Sequence, residues 1–118
     1  MFIDESDEFV KHQPYSISDD DSSVITLLIQ LKSGETVFFP YNYFAPTKLT
    51  KGKREQSYTL NLIGGGVNLV LHLKNFKASD CAEFCQDLAK RRVAEIREFS
   101  EELDGVEYPV FSKIEEVD

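Results

Sequence analysis

The stretch SDCAEFCQDLAKRRVAEIREF, residues 79–99, decides how this chain is read. Its apolar side chains Cys81, Phe84, Cys85, Leu88, Ala89, Val93, Ile96 and Phe99 recur at steps of three and four. That is the period of one helix face. Glu83, Gln86, Asp87, Lys90, Arg91, Arg97 and Glu98 fall on the opposite side. The spacing predicts one long amphipathic helix from Ser79 to Phe99, with Ser79 as N-cap and Asp80 in the first turn. Such a helix needs an apolar surface to cover.

The residues before it supply that surface as strands. Val24 to Leu31 alternates, with Ile25, Leu27, Ile29 and Leu31 on one face. Lys32 to Glu35 is a hairpin turn, in which Gly34 permits a left-handed backbone. Thr36 to Phe39 returns, and Pro40 requires the chain to bend or lie at an edge. Thr47 to Thr50 is a weak strand. Gln56 to Ile63 and Val67 to Leu73 form a hairpin across Gly64-Gly65-Gly66. The predicted fold class is α+β: a curved antiparallel sheet of about five to seven strands, packed by one long C-terminal helix. The Ser100 to Gly105 segment ends that helix, with Gly105 as a stop signal.

At 118 residues the chain fits a single domain. Fourteen aromatics and a 42% apolar content supply a core, and no run approaches a membrane span of about 20 apolar residues. The net charge of −8 is unevenly placed. Residues 1–22 carry seven acids against Lys11, and residues 100–118 carry seven against Lys113. The core, 23–99, has eleven bases and seven acids. A basic body therefore bears two acidic ends. Either these ends are solvated, or their apolar residues dock as extra strands: Phe9 and Tyr15 in front, Val106, Tyr108, Val110, Phe111 and Ile114 behind. The start of the chain lacks a signal-peptide pattern, which gives a cytoplasmic expectation. Cys81 and Cys85, one turn apart, read as buried reduced thiols.

Several elements together resemble a family of small uncharacterised bacterial domains. These are Leu27-Ile29-Leu31, the Gly34 turn, Phe39-Pro40-Tyr41, the strand ending Leu69-Val70-Leu71, and the Val93-x-x-Ile96-x-Glu98 ending. The element order is also similar to a pleckstrin-homology-like fold. The resemblance implies that architecture over residues 24–99 and brings no catalytic residue, cofactor or metal.

The residues themselves carry no enzyme signature. Gly64-Gly65-Gly66 lacks a phosphate-loop spacing. Asp19-Asp20-Asp21 lacks the glycine and glutamate of a calcium loop. A Cys–His pair with His72 would need an exposed thiol. Two binding candidates stand out. The segment Phe38 to Phe44 packs five aromatics into seven residues, with Tyr41, Tyr43 and Phe44 as anchors for a protein partner. An exposed sheet edge also permits a homodimer. The alternative is a membrane surface, met by the basic loop of Lys51, Lys53 and Arg54 binding anionic lipid. A pI near 4.7 argues against nucleic acid. The expectation is a non-enzymatic protein-interaction or ligand-binding module.

Overall fold

A computed structural model describes residues 14–18, 24–41, 48–64 and 66–117. Among these residues the chain is α+β, with eight strands in two four-stranded sheets and one helix. The strands are β1 (Tyr15–Ile17), β2 (Thr26–Gln30), β3 (Thr36–Pro40), β4 (Leu49–Lys51), β5 (Ser57–Gly64), β6 (Val67–Lys74), β7 (Val93–Arg97) and β8 (Val110–Glu116). The helix, α1 (Ala78–Ala89), lies between β6 and β7. One sheet has the order β1-β7-β2-β3, the other β4-β5-β6-β8. Every ladder is antiparallel except β2–β7.

Alternation explains most strands. Leu27, Ile29 and Phe39 turn inward from β2 and β3; Leu60, Leu62, Leu69, Leu71 and Leu73 do so from β5 and β6. Both inner faces and the helix share one core cluster. Phe84 of α1 ties them together, with ring centroids 4.7 Å from Tyr15 and 5.2 Å from Phe111. At the β2–β3 turn Gly34 adopts φ 97°, and its N–H donates to Leu31 O at 2.9 Å. Gly66 and Gly105 also take positive φ, but Gly105 sits in the β7–β8 loop and ends no helix.

The long helix is corrected. α1 stops at Ala89, and Val93 to Arg97 is a strand. Lys77, not Ser79, is the N-cap, and it offers no side-chain cap. The C-terminus closes in a Schellman motif: Arg92 N–H donates to Asp87 O at 2.8 Å, and Arg91 N–H to Leu88 O at 3.0 Å. Arg91 fills the left-handed position at φ 57° where glycine is usual, so the stop carries no sequence signal. The carbonyls of Arg91 and Arg92 in turn bind the strands beside them. Arg91 O accepts from Val24 N–H and Arg92 O from Ser18 N–H, both at 2.8 Å.

A β-bulge made β7 resemble helix. Ser16 pairs with Glu95 and Ile17 with Val93, so Ala94 is the extra residue. Inserting one residue reverses the alternation, and Val93 and Ile96 both face the core at a spacing of three. β8 repeats the device. His72 pairs with Lys113 and Leu73 with Phe111, which makes Ser112 the extra residue and turns Phe111 and Ile114 inward together.

The expected single sheet under a closing C-terminal helix is thus replaced by two sheets, and the last described element is strand β8. The Val-x-x-Ile-x-Glu ending, expected on the closing helix, belongs instead to β7 and its bridge. Within 100–118, Val110, Phe111 and Ile114 enter the core.

Glu98 joins the sheets. It bridges in parallel to Phe111, and Phe99 N–H donates to Phe111 O at 2.9 Å. Its own N–H donates to Gln30 O at 2.8 Å. Its carboxylate accepts from Lys32 N–H through Oε1 and from Ile114 N–H through Oε2, each at 2.9 Å. One side chain therefore satisfies a donor from each sheet.

Two outcomes test this account. Arg91→Gly relieves the left-handed strain at an exposed site and raises stability by about 1 kcal/mol in urea unfolding. Glu98→Ala strands two backbone donors and lowers stability by about 2 kcal/mol, with Glu98→Gln costing less because one acceptor remains.

Candidate functional site

The outer face of the first sheet is built in cross-strand rows. Thr36, Gln30 and Arg97 form one, since Gln30 pairs with both. Phe38, Leu28, Glu95 and Ser16 form the next. The two rows are tied by side-chain bonds. Thr36 Oγ1 donates to Gln30 Oε1 at 2.7 Å, Gln30 Nε2 to Glu95 Oε2 at 3.1 Å, and Arg97 to Glu95 Oε1 at 2.9 Å. Beside this polar ladder stands Phe38, 66% exposed. A large ring left in water on a strand is the most prominent apolar feature of this face.

Among the described residues, Phe38 lies on a sheet edge. β3 ends the order β1-β7-β2-β3. Leu31 N–H donates to Glu35 O at 2.8 Å and Tyr41 N–H to Ile25 O at 3.0 Å. With Ile29 opposite Val37 and Leu27 opposite Phe39, the odd-numbered residues of β3 exchange bonds with β2. Thr36, Phe38 and Pro40 therefore direct their main-chain groups away from β2. Pro40, the one residue with no N–H, occupies an outward position and costs the ladder nothing.

Tyr41 is not a surface anchor. It is 1% exposed, and its hydroxyl donates to Val93 O at 2.8 Å. The strand alternation that exposes Phe38 buries Phe39, and Tyr41, two residues further on, faces inward with it. Tyr43 and Phe44, the other two expected anchors, lie outside the described residues. Phe38 was part of the aromatic run in the sequence; its place at the second position of the odd–even ladder is the signal that selects it.

Lys51 ends β4, Lys53 and Arg54 lie in the turn to β5, and all three are exposed. Glu55 follows them, also exposed.

On the outer face of the second sheet, His72 Nε2 and Glu115 Oε2 are 2.7 Å apart, and Lys113 Nζ is 3.2 Å from Glu115 Oε1. These bonds hold the Glu115 carboxyl below its ordinary range. Ser112 Oγ donates to the main-chain oxygen of His72, not to its ring. Cys81 lies in the core, on the other side of this sheet from His72, so the two form no nucleophile pair. Among the described residues no three of His, Cys, Asp and Glu gather to hold a metal ion.

A shallow cleft of about 180 Å³ opens beside the Glu98 seam, between Pro14, Phe99, Tyr108 and Pro109. It is smaller than the roughly 300–1,000 Å³ of small-molecule sites. Its far wall is pinned by Asn75, whose Nδ2 donates to Val106 O at 2.8 Å and Tyr108 O at 3.1 Å. Asn75 takes φ 66°, a conformation that asparagine tolerates.

Comparison with known proteins adds no relative: no family model matches the chain, and neither a curated protein nor a solved structure does. No described helix is long and apolar enough to cross a membrane.

Burial raises several proton affinities. The Tyr15 phenol is pushed up to about 12, first by burial and then by Asp87, and burial raises the Tyr41 phenol. The Cys81 thiol rises to about 11 for the same reason, and that of Cys85 also rises. The unfolded chain loses these protons near 9.0 for thiols and 10.0 for phenols, before the folded chain does. The stability these groups contribute is complete below pH 9 and declines as pH rises above it. Thermal unfolding across pH 8 to 11 should show that decline, with a shallower slope in Tyr41→Phe.

Proposed function

We propose that this chain is a non-enzymatic protein-interaction module that recognises an extended segment by strand addition at β3. The exposed Phe38 ring beside outward-facing main-chain groups carries this reading. Added strands draw affinity from main-chain bonds and specificity from alternate side chains. β3 supplies both, because the residues whose main chain faces the edge also place their side chains on the outer face.

The polar ladder behind the edge supports the same role. Thr36, Gln30, Glu95 and Arg97 are cross-bonded, so the face behind the receiving edge is already ordered. The acidic ends of the sequence steer partner choice away from anionic surfaces. This applies to nucleic acid and to lipid head groups alike. The free thiols Cys81 and Cys85 fit a reducing compartment such as the cytoplasm.

Phe38→Asp tests the proposal. The ring is exposed, so the substitution changes stability by less than about 1 kcal/mol. The folded variant should lose every protein that the wild type captures from lysate. Retention of the same proteins by the variant rejects β3 as the recognition surface. Binding of wild type to anionic vesicles, lost in Lys51→Glu/Lys53→Glu, would replace strand addition with the lipid reading.

A further inference from the structure

We infer that the occupant matched to the β3 edge is a second copy of this chain, and that Pro40 limits the strength of that pairing. The inference rests on the reading of β3 as a docking edge and names what docks there.

The argument begins with donors and acceptors. Among the described residues, β3 offers the open edge two N–H groups, Thr36 and Phe38, and three carbonyls, Thr36, Phe38 and Pro40. A two-fold axis through Phe38 matches them. Phe38 N–H donates to the carbonyl of the partner's Phe38, and Thr36 N–H donates to the carbonyl of the partner's Pro40. Each bond is repeated by symmetry, so every outward N–H is satisfied. The Thr36 carbonyls alone are left to water, because Pro40 has no N–H to offer them.

Side chains agree with this register. Phe38 faces the partner's Phe38 across the join, on the same side of the continuous sheet. Cross-strand aromatic pairs stabilise such a contact. Charge also permits it, although each copy carries −8. No charged residue lies between Thr36 and Pro40. The antiparallel arrangement separates the two Glu35 residues by roughly 20 Å at 3.4 Å per residue. That exceeds the screening length of about 8 Å at physiological salt.

Area sets the expected strength. Five residues of edge bury well under the roughly 800 Å² per partner of a stable interface, so the dimer is weak and concentration-dependent. A two-fold pairing also uses up the edge, which closes the assembly at two copies. Pro40 withholds two further hydrogen bonds per dimer. It acts as a brake on an otherwise uncharged edge.

Sedimentation velocity across concentrations from about 10 µM to 1 mM reads the equilibrium directly. Wild type should pass from monomer toward dimer within that range. Pro40→Ala restores an N–H opposite the partner's Thr36 and should tighten association roughly ten-fold. Phe38→Asp should remain monomeric throughout. In amide spectra, Thr36 and Phe38 should move with concentration while Val37 and Phe39, bonded to β2, stay fixed. The inference is overturned if folded wild type and Pro40→Ala are both monomeric at 1 mM, if Pro40→Ala is no tighter than wild type, or if species larger than dimers form. Monomeric wild type that still captures a Phe38-dependent protein would reject the second copy and leave strand addition standing. Phe38-dependent dimers without any such capture would support the second copy and reject a different protein as the occupant of β3.

Discussion

A single carboxylate sets the relation between the two sheets. Glu98 sits where β7 leaves the first sheet and meets the start of β8 in the second. Its two oxygens accept one main-chain N–H from the β2–β3 turn and one from β8. Its own main chain continues the ladder with Gln30. Apolar packing pulls the two inner faces together but is indifferent to small shifts between them. Directional bonds are not. The shared aromatic core of Tyr15, Phe84, Phe111 and Phe76 depends on that alignment, because β8 delivers Phe111 and β1 delivers Tyr15 to the same Phe84 ring, at 5.2 and 4.7 Å.

How much of this was legible follows from which signals are local. The alternation of β2, β3, β5 and β6 and the Gly34 turn could be read directly, because each depends only on neighbours in sequence. β7 could not. With Ala94 bulged, Val93 and Ile96 point the same way at a spacing of three, which a strand normally forbids and a helix requires. The helix stop was equally silent, since Arg91 takes a conformation that glycine would have announced. The helical period does place Cys81, Phe84 and Leu88 on the buried face of α1. It does not carry the helix past Ala89.

The surface was partly legible for the same reason. An aromatic run in the sequence marks a region, but only the pairing with β2 decides which rings face water. Phe39 and Tyr41 are drawn into the core and Phe38 is left outside. Pro40, a residue that interrupts a central strand, here completes an edge strand, at the position where a missing donor is harmless. Edge, ring and proline are thus three consequences of one register. The basic loop is different in kind: Lys51, Lys53 and Arg54 are exposed together at the turn from β4 to β5, not on a sheet face as Phe38 is.

The place of β7 also governs the order in which the molecule can be assembled. It lies between β1 and β2, so β1 has no strand to pair with until residue 97 has been made. The Gln30–Glu95 bond spans 65 residues. By contrast, β5 and β6 meet across a short turn, with Gly64 opposite Val67. Local closure is fast and distant closure slow. During synthesis the β5–β6 hairpin therefore forms as soon as it emerges. The β2–β3 hairpin waits with its second side, and not only its edge, unpaired. For that interval both flanks of the β2–β3 hairpin are open, whereas in the finished sheet β7 covers β2.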